Sequence, residues 1–223
     1  MQIGKKIGRR SFLNGGASLA GLALAGCAGT GQESDGTFIS GSQANAMYKA
    51  MPNERFSIPS VNLNLVKKRF YRKEVVNPTS APPGSVYVDT KNFYLYFIGL
   101  DNKAMRYGVG LGRAGFEWSG NGRIAWKKKW PTWTPPDDMI EREPKLEKYS
   151  AENGGMPPGL DNPLGARALY IFQGNKDTLY RLHGTAEAYS IGKAVSSGCV
   201  RLLNQDVIDL YNRVPNGAPI IVG

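Results

Sequence analysis

Histidine and cysteine are almost absent from this 223-residue chain, which has one His, His183, and two Cys, Cys27 and Cys199. One imidazole and so few thiols fall short of the usual tetrahedral zinc ligand set, so no metal or other cofactor is expected. Two cysteines do not make the disulfide framework of a small secreted scaffold. No apolar run reaches the ~20 residues that cross a bilayer comfortably. No internal repeat is visible. Acidic residues are outnumbered: 18 Asp and Glu stand against 28 Lys and Arg, a formal charge of +10.

What is present begins with an export leader. Lys5, Lys6, Arg9 and Arg10 form a basic start, and Arg9-Arg10-Ser11-Phe12-Leu13 looks like a twin-arginine signal. A short run of small apolar residues follows at 17–25, the proportions of a cleaved signal rather than a permanent span. Leu24-Ala25-Gly26-Cys27 resembles a bacterial lipobox, which makes Cys27 the expected lipidation site, with ordinary cleavage nearby as the alternative. Ala28 after the cysteine would favour the outer membrane. Export in the folded state disfavours a Cys27–Cys199 disulfide, because folding then happens in a reducing compartment. The leader carries four positive charges and no acidic residue, which leaves +6 for the mature chain. That balance suits a polyanionic wall or membrane surface. No nucleic-acid motif is recognisable, so nucleic acid is not an expected partner.

The rest divides in two. Residues 28–83 read as a small, polar tether followed by an extended, proline-punctuated arm packed on the main domain. Residues 84–223 are long enough for one core. Runs at 85–89, 93–98, 105–109, 168–172, 179–183 and 218–222 have strand composition. Asn204 is placed to cap a helix over 205–213, with Val207, Leu210, Tyr211 and Val214 on one face. Between 112 and 165 strand signals are sparse. That region holds all four tryptophans, Trp118, Trp126, Trp130 and Trp133, with Lys127-Lys128-Lys129 and several prolines. It reads either as a wall over a substrate groove or as a long loop anchored by its indoles. Residues 141–148 are charged and of helical composition. The expected fold is mainly β, a sandwich or barrel-like sheet with a short C-terminal helix.

The chemistry concentrates in Leu182-His183-Gly184-Thr185 and Ser196-Ser197-Gly198-Cys199-Val200-Arg201-Leu202. An imidazole and a thiol sixteen positions apart, each next to glycine, are the parts of a nucleophilic site. A thiol with a pKa of about 8.5 is mostly protonated at neutral pH. A neighbouring imidazole can take its proton. Glycine beside the cysteine lets backbone N–H groups approach a developing oxyanion, so Gly198 and Cys199 are the expected oxyanion donors. Arg201 could position a substrate carboxylate or brace the loop through a salt bridge, and the alternation of an extended segment favours the brace.

These two elements together resemble the signature of the L,D-transpeptidase (ErfK/YbiS/YkuD-like) family: a His-Gly element, a connection, then Ser-x-Gly-Cys-x-Arg. The resemblance covers about residues 84–223. It implies a mainly β catalytic fold, Cys199 as nucleophile and His183 as its proton partner. In the family a backbone carbonyl orients the histidine, and Gly184 is the candidate here. Ser196, Ser197, Thr185 and Arg201 are the side chains expected to line the substrate. Known members act on peptidoglycan stem peptides, forming 3→3 cross-links, joining a lipoprotein to the wall or trimming tetrapeptides with water. The resemblance also implies inhibition by carbapenem-type β-lactams and a place in the periplasm or cell envelope, with membrane contact only through a lipid anchor. A non-catalytic wall-binding lipoprotein is the rival of a different class. Many members carry a second histidine where this chain has Ser197, so a single imidazole must serve every proton transfer.

Overall fold

Aromatic and β-branched runs become strands where their alternate side chains find a common core. In the computed structural model, residues 39–112, 119–196 and 198–223 are described, Ser196 by its backbone alone. The leader, Cys27, Trp118 and Ser197 lie outside them. In chain order the elements are α1 (Gly41–Met47), β1 (Lys73–Val76), β2 (Val86–Asp89), β3 (Tyr94–Ile98), β4 (Lys103–Gly108), β5 (Leu111–Gly112) and β6 (Gly120–Lys129). Then come α2 (Asp137–Arg142), β7 (Arg167–Gln173), β8 (Lys176–Thr185), β9 (Ala194–Ser196), β10 (Val200–Leu203), α3 (Asn204–Arg213) and β11 (Pro219–Val222).

Among the described residues, nine strands form one sheet in the order β1-β4-β3-β2-β11-β6-β7-β8-β10, and β5 pairs with β9. The far edge returns toward the start. Gly110, just after β4, exchanges backbone hydrogen bonds with Arg201 of β10 at 2.9 and 2.8 Å. The sheet therefore curls around one core of Val88, Leu95, Ile124, Leu169, Leu182 and Ile220. α3 closes that core with Val207, Leu210 and Val214, the face its spacing predicts. The architecture is mainly β, as expected. No helix of the described residues is long and apolar enough to cross a membrane.

Four expectations change. The stretch 112–165 is not nearly strand-free, because β6 crosses the middle of the sheet between β11 and β7. Its polar sequence hid it. Ile124 is the one fully buried side chain of the strand, and a register shift between Ile124 and Trp126 breaks the period of two. The stretch 28–83 is not extended throughout. α1 opens with a capping box from Ser40 and Gln43, and β1 joins the sheet beside β4. Tyr48, Phe70 and Tyr71 pack with Tyr94, Tyr96 and Ile98 of β3 in a second cluster. Asn204 does not cap α3: Leu203 is the N-cap and Asn204 is the first helical residue. Its Oδ1 instead accepts from the Ala166 N–H at 2.9 Å. The charged segment at 141–148 splits into the end of α2 and a 3-10 turn, Pro144–Tyr149.

A largely buried ion pair ties the N-terminal stretch to the sheet. Glu54 accepts from Arg167 Nη2 at 2.6 Å and Nη1 at 3.0 Å, and from Trp130 Nε1 at 2.9 Å. The Arg167 side chain is only 5% exposed and that of Glu54 18%. Burial pushes the Glu54 carboxyl up, but the Arg167 and Trp130 bonds outweigh it and hold the pKa below its ordinary value. The pair therefore adds stability above the usual carboxylate range and loses it as pH falls through the lowered value. Glu54→Ala strands a buried guanidinium and is expected to cost about 3 kcal/mol. In thermal unfolding that is a Tm drop of roughly 6–12 °C. An unchanged Tm would show that the contact contributes nothing to holding this stretch.

Candidate active site

The site is built on two strands that lie side by side although a long connection separates them. β8 and β10 run parallel with Leu182 opposite Val200 and His183 opposite Arg201. Leu182 and Val200 belong to the core. Alternation then turns His183 and Arg201 to the other face of the sheet. Cys199 precedes Val200 and lies level with Arg181. One strand spacing and two residue rises separate Cys199 from His183, about 8 Å between Cα atoms.

His183 is 4% exposed. Its Nδ1 donates to the Gly184 carbonyl at 2.8 Å, since a carbonyl can only accept. That bond fixes the tautomer and leaves the lone pair on Nε2. Burial lowers the ring's pKa to about 4. The carbonyls of Gly184 and Pro163 oppose this shift, and the Arg201 charge adds to it. The imidazole is therefore neutral near pH 7, the form that accepts a proton.

Cys199 is half-buried. Its Sγ lies 3.9 Å from the Leu179 carbonyl. Burial pushes the thiol above its ordinary value, while the Arg181 backbone and the charges of Arg181 and Arg201 pull it down. Leu179 has φ of +63°, an unusual conformation for a branched side chain. It sits where the β7–β8 register shifts between Tyr170 and Phe172. The bulge turns the Leu179 carbonyl toward the sulfur, a common use of bulges beside active sites. Gly198 has φ of +137°, which only glycine adopts without strain. A glycine before Cys199 is thus required by the backbone.

Other expected residues have mixed placements. Arg201 Nη1 pairs with Glu187 Oε2 at 2.6 Å, a brace between β10 and the turn after β8. Thr185 is buried and its hydroxyl accepts from the Glu187 N–H at 3.0 Å, so it holds that same turn rather than facing a substrate. The Ser196 backbone pairs with Gly112. Lys127 reaches the C-terminal end of α3, donating to the Tyr211 and Val214 carbonyls. Trp130 is buried against Glu54, so this indole anchors rather than lines.

Sequence reasoning missed three supports. Gly112 lies so close to Gly198 that a Cβ there would overlap its backbone N and Cα. Asn204 Oδ1 packs against Gly165 and Gly184, bracing the carbonyl that holds His183. Arg181 stands level with Cys199. An isolated glycine in a strand is a sequence signal of close backbone approach, and Gly112 carried that signal. Asn204 and Arg181 carried none.

Comparison with known proteins identifies a family. The YkuD family, L,D-transpeptidase catalytic domain, matches residues 83–222. The probable L,D-transpeptidase ErfK/SrfK of Escherichia coli (strain K12) is 34% identical over 152 residues, covering 66% of this chain and 46% of that protein. The putative L,D-transpeptidase YkuD of Bacillus subtilis (strain 168) is 46% identical over 84 residues, covering 38% of this chain and 47% of that protein. The chain spans about half the length of the curated relatives it matches. A crystallised protein of Brucella melitensis, described as a probable carnitine operon oxidoreductase, is 41% identical. It superposes with a TM-score of 0.50, covering 70% of this chain and 96% of that one. With His183 held by its neighbour's carbonyl and Cys199 just ahead of the adjacent parallel strand, inside a matched segment of 140 residues, the chain belongs to the L,D-transpeptidase catalytic-domain family.

Proposed function

We propose that the protein is an envelope L,D-transpeptidase acting on peptidoglycan stem peptides through a Cys199 thioester. The observation that carries this is the parallel β8–β10 pairing, with a neutral, carbonyl-oriented His183 on the strand next to Cys199. In the first half-reaction Cys199 Sγ attacks the carbonyl carbon of the diamino acid residue before the terminal D-alanine. His183 Nε2 takes the thiol proton as the carbon–sulfur bond forms. The N–H groups of Gly198 and Cys199 hold the oxyanion. The carbon–nitrogen bond then breaks, and His183 protonates the departing D-alanine amine. In the second half-reaction an amine of another stem attacks the thioester. His183 accepts the amine proton and returns one to the leaving sulfur. Arg201 acts by bracing its turn through Glu187. Ser196 and Ser197, which precede Gly198 in the sequence, are the proposed substrate-binding hydroxyls.

The Arg9-Arg10 leader and the Cys27 lipobox support export and anchoring by a lipid, with the domain spanning residues 84–223 as the catalytic unit. Residues 28–83 link that unit to the anchor.

Incubating the protein with purified tetrapeptide muropeptides and reading the products by mass spectrometry tests the reading. Dimers joined 3→3, or stems carrying an exchanged D-amino acid, are expected. Tripeptide accumulating without either would make water the acceptor and the protein an L,D-carboxypeptidase. A carbapenem should add its intact mass to Cys199, and an active preparation that takes up none would contradict the thioester route.

A further inference from the structure

A line of flat side chains crosses the sheet and ends at the nucleophile. Trp126 of β6 stands opposite Tyr170 of β7, and Tyr170 opposite Arg181 of β8. The Trp126 and Tyr170 rings stack with centroids 3.4 Å apart and planes 13° from parallel. The Arg181 guanidinium carbon lies 4.5 Å over the Tyr170 ring. Asp177 clamps Arg181 with bonds of 2.7 and 2.8 Å. Tyr170 is 8% exposed, whereas Trp126 is 40% exposed. The strand beneath is fixed, because Lys127 donates to the Tyr211 carbonyl of α3 at 2.7 Å. Trp126 is thus a rigid indole with one face held by a ring and the remainder open.

A platform of this kind suits a ligand with a flat apolar face and polar edges. A pyranose ring has that form: its C–H bonds meet the π face while its hydroxyl and amide groups stay in water. The distances agree with the proposed substrate. Three strand spacings separate Trp126 from the level of Cys199, about 14 Å. In a tetrapeptide stem, three residues lie between the sugar-linked end and the bond attacked. Extended, they span about 10 to 11 Å, and the lactyl link to the sugar adds the rest. The opposite flank of Cys199 is closed by the Gly112–Gly198 backbone contact. We propose that Trp126, stacked on Tyr170, is a saccharide subsite that holds the N-acetylated amino sugar of the donor strand. This rests on the transpeptidase reading for its substrate.

The test compares a disaccharide-tetrapeptide donor with the same tetrapeptide lacking sugar. Wild-type protein should show a lower KM for the sugar-bearing donor. Trp126→Ala should raise that KM about tenfold and collapse the ratio between the donors toward one. Trp126→Phe should keep part of the preference. An identical ratio in wild type and Trp126→Ala overturns the subsite while leaving the transpeptidase reading intact. A binding measurement separates the two claims further. In Cys199→Ala protein, titration with N-acetylglucosamine oligomers should shift the Trp126 indole N–H resonance, identified by its loss in Trp126→Ala. No shift at saturating sugar overturns the subsite, whatever the turnover result. A shift in Cys199→Ala protein, with wild-type protein turning over neither donor, would keep the saccharide site and remove the transpeptidase reading.

Discussion

Cys199→Ala is expected to lower acyl transfer by at least about 10⁴-fold, since neither half-reaction has another nucleophile. The Tm should move by no more than about 2 °C, because the sulfur is a small part of a half-buried loop side chain. Muropeptide turnover in the variant equal to wild type would end the catalytic reading. The pH profile carries a second discriminating signal. Burial holds His183 down to about 4 and pushes the Cys199 thiol above its ordinary value. The resting pair is therefore neutral thiol and neutral imidazole, not thiolate and imidazolium. Alkylation of Cys199 by a neutral electrophile should keep rising with pH through the ordinary thiol range and above it. A rate already flat below pH 7 would mean a preformed ion pair. The same shift has a stability consequence. The folded His183 binds its proton more weakly than the unfolded chain does. Its contribution is complete above about pH 6.5 and is lost as pH falls toward 4.

Gly112→Ala is expected to cut turnover about 100-fold while the protein remains folded. The added Cβ would overlap the backbone N and Cα of Gly198, so one of the two segments must move. Gly198 is the residue before the proposed nucleophile and itself a proposed oxyanion donor. A displacement near 1 Å at such a position can cost about 10²-fold in rate. The overpacking itself should cost about 1–3 kcal/mol of stability, readable in denaturant unfolding. Gly159→Ala is the control, because a Cβ there meets nothing within 4 Å. If Gly112→Ala were as active as the control, the close approach would have no bearing on the oxyanion site. A loss of turnover together with a collapsed unfolding transition would point to folding alone.

Much of the fold was legible where a strand buries one face or both. β2, β3 and β7 announced themselves through strand composition, and α3 through apolar spacing. β6 did not, because it faces its neighbours with Gly, Arg and Lys, and its bulge breaks the alternation that would reveal it. The Asn204 cap failed for a related reason. An Asn before a periodic helix has capping chemistry, yet its Oδ1 found a better partner in Ala166 N–H, brought near only by the fold. Thr185 was expected at the substrate and instead holds a turn, since a hydroxyl bonds whichever donor folding delivers.

The sequence by itself singled out His183 and Cys199 as the candidate pair. With one imidazole in the chain and one thiol outside the leader, residue scarcity left few ways to build a nucleophilic site, and the local glycines narrowed them further. The tertiary structure alone decided that β10 lies parallel to β8, that Gly112 presses on Gly198, and that Trp126 stacks on Tyr170 in line with Cys199. Each is a contact between segments distant along the chain. The periodicity of a strand states which face it buries but not which strand it will lie beside, and that choice belongs to the packing of the whole core.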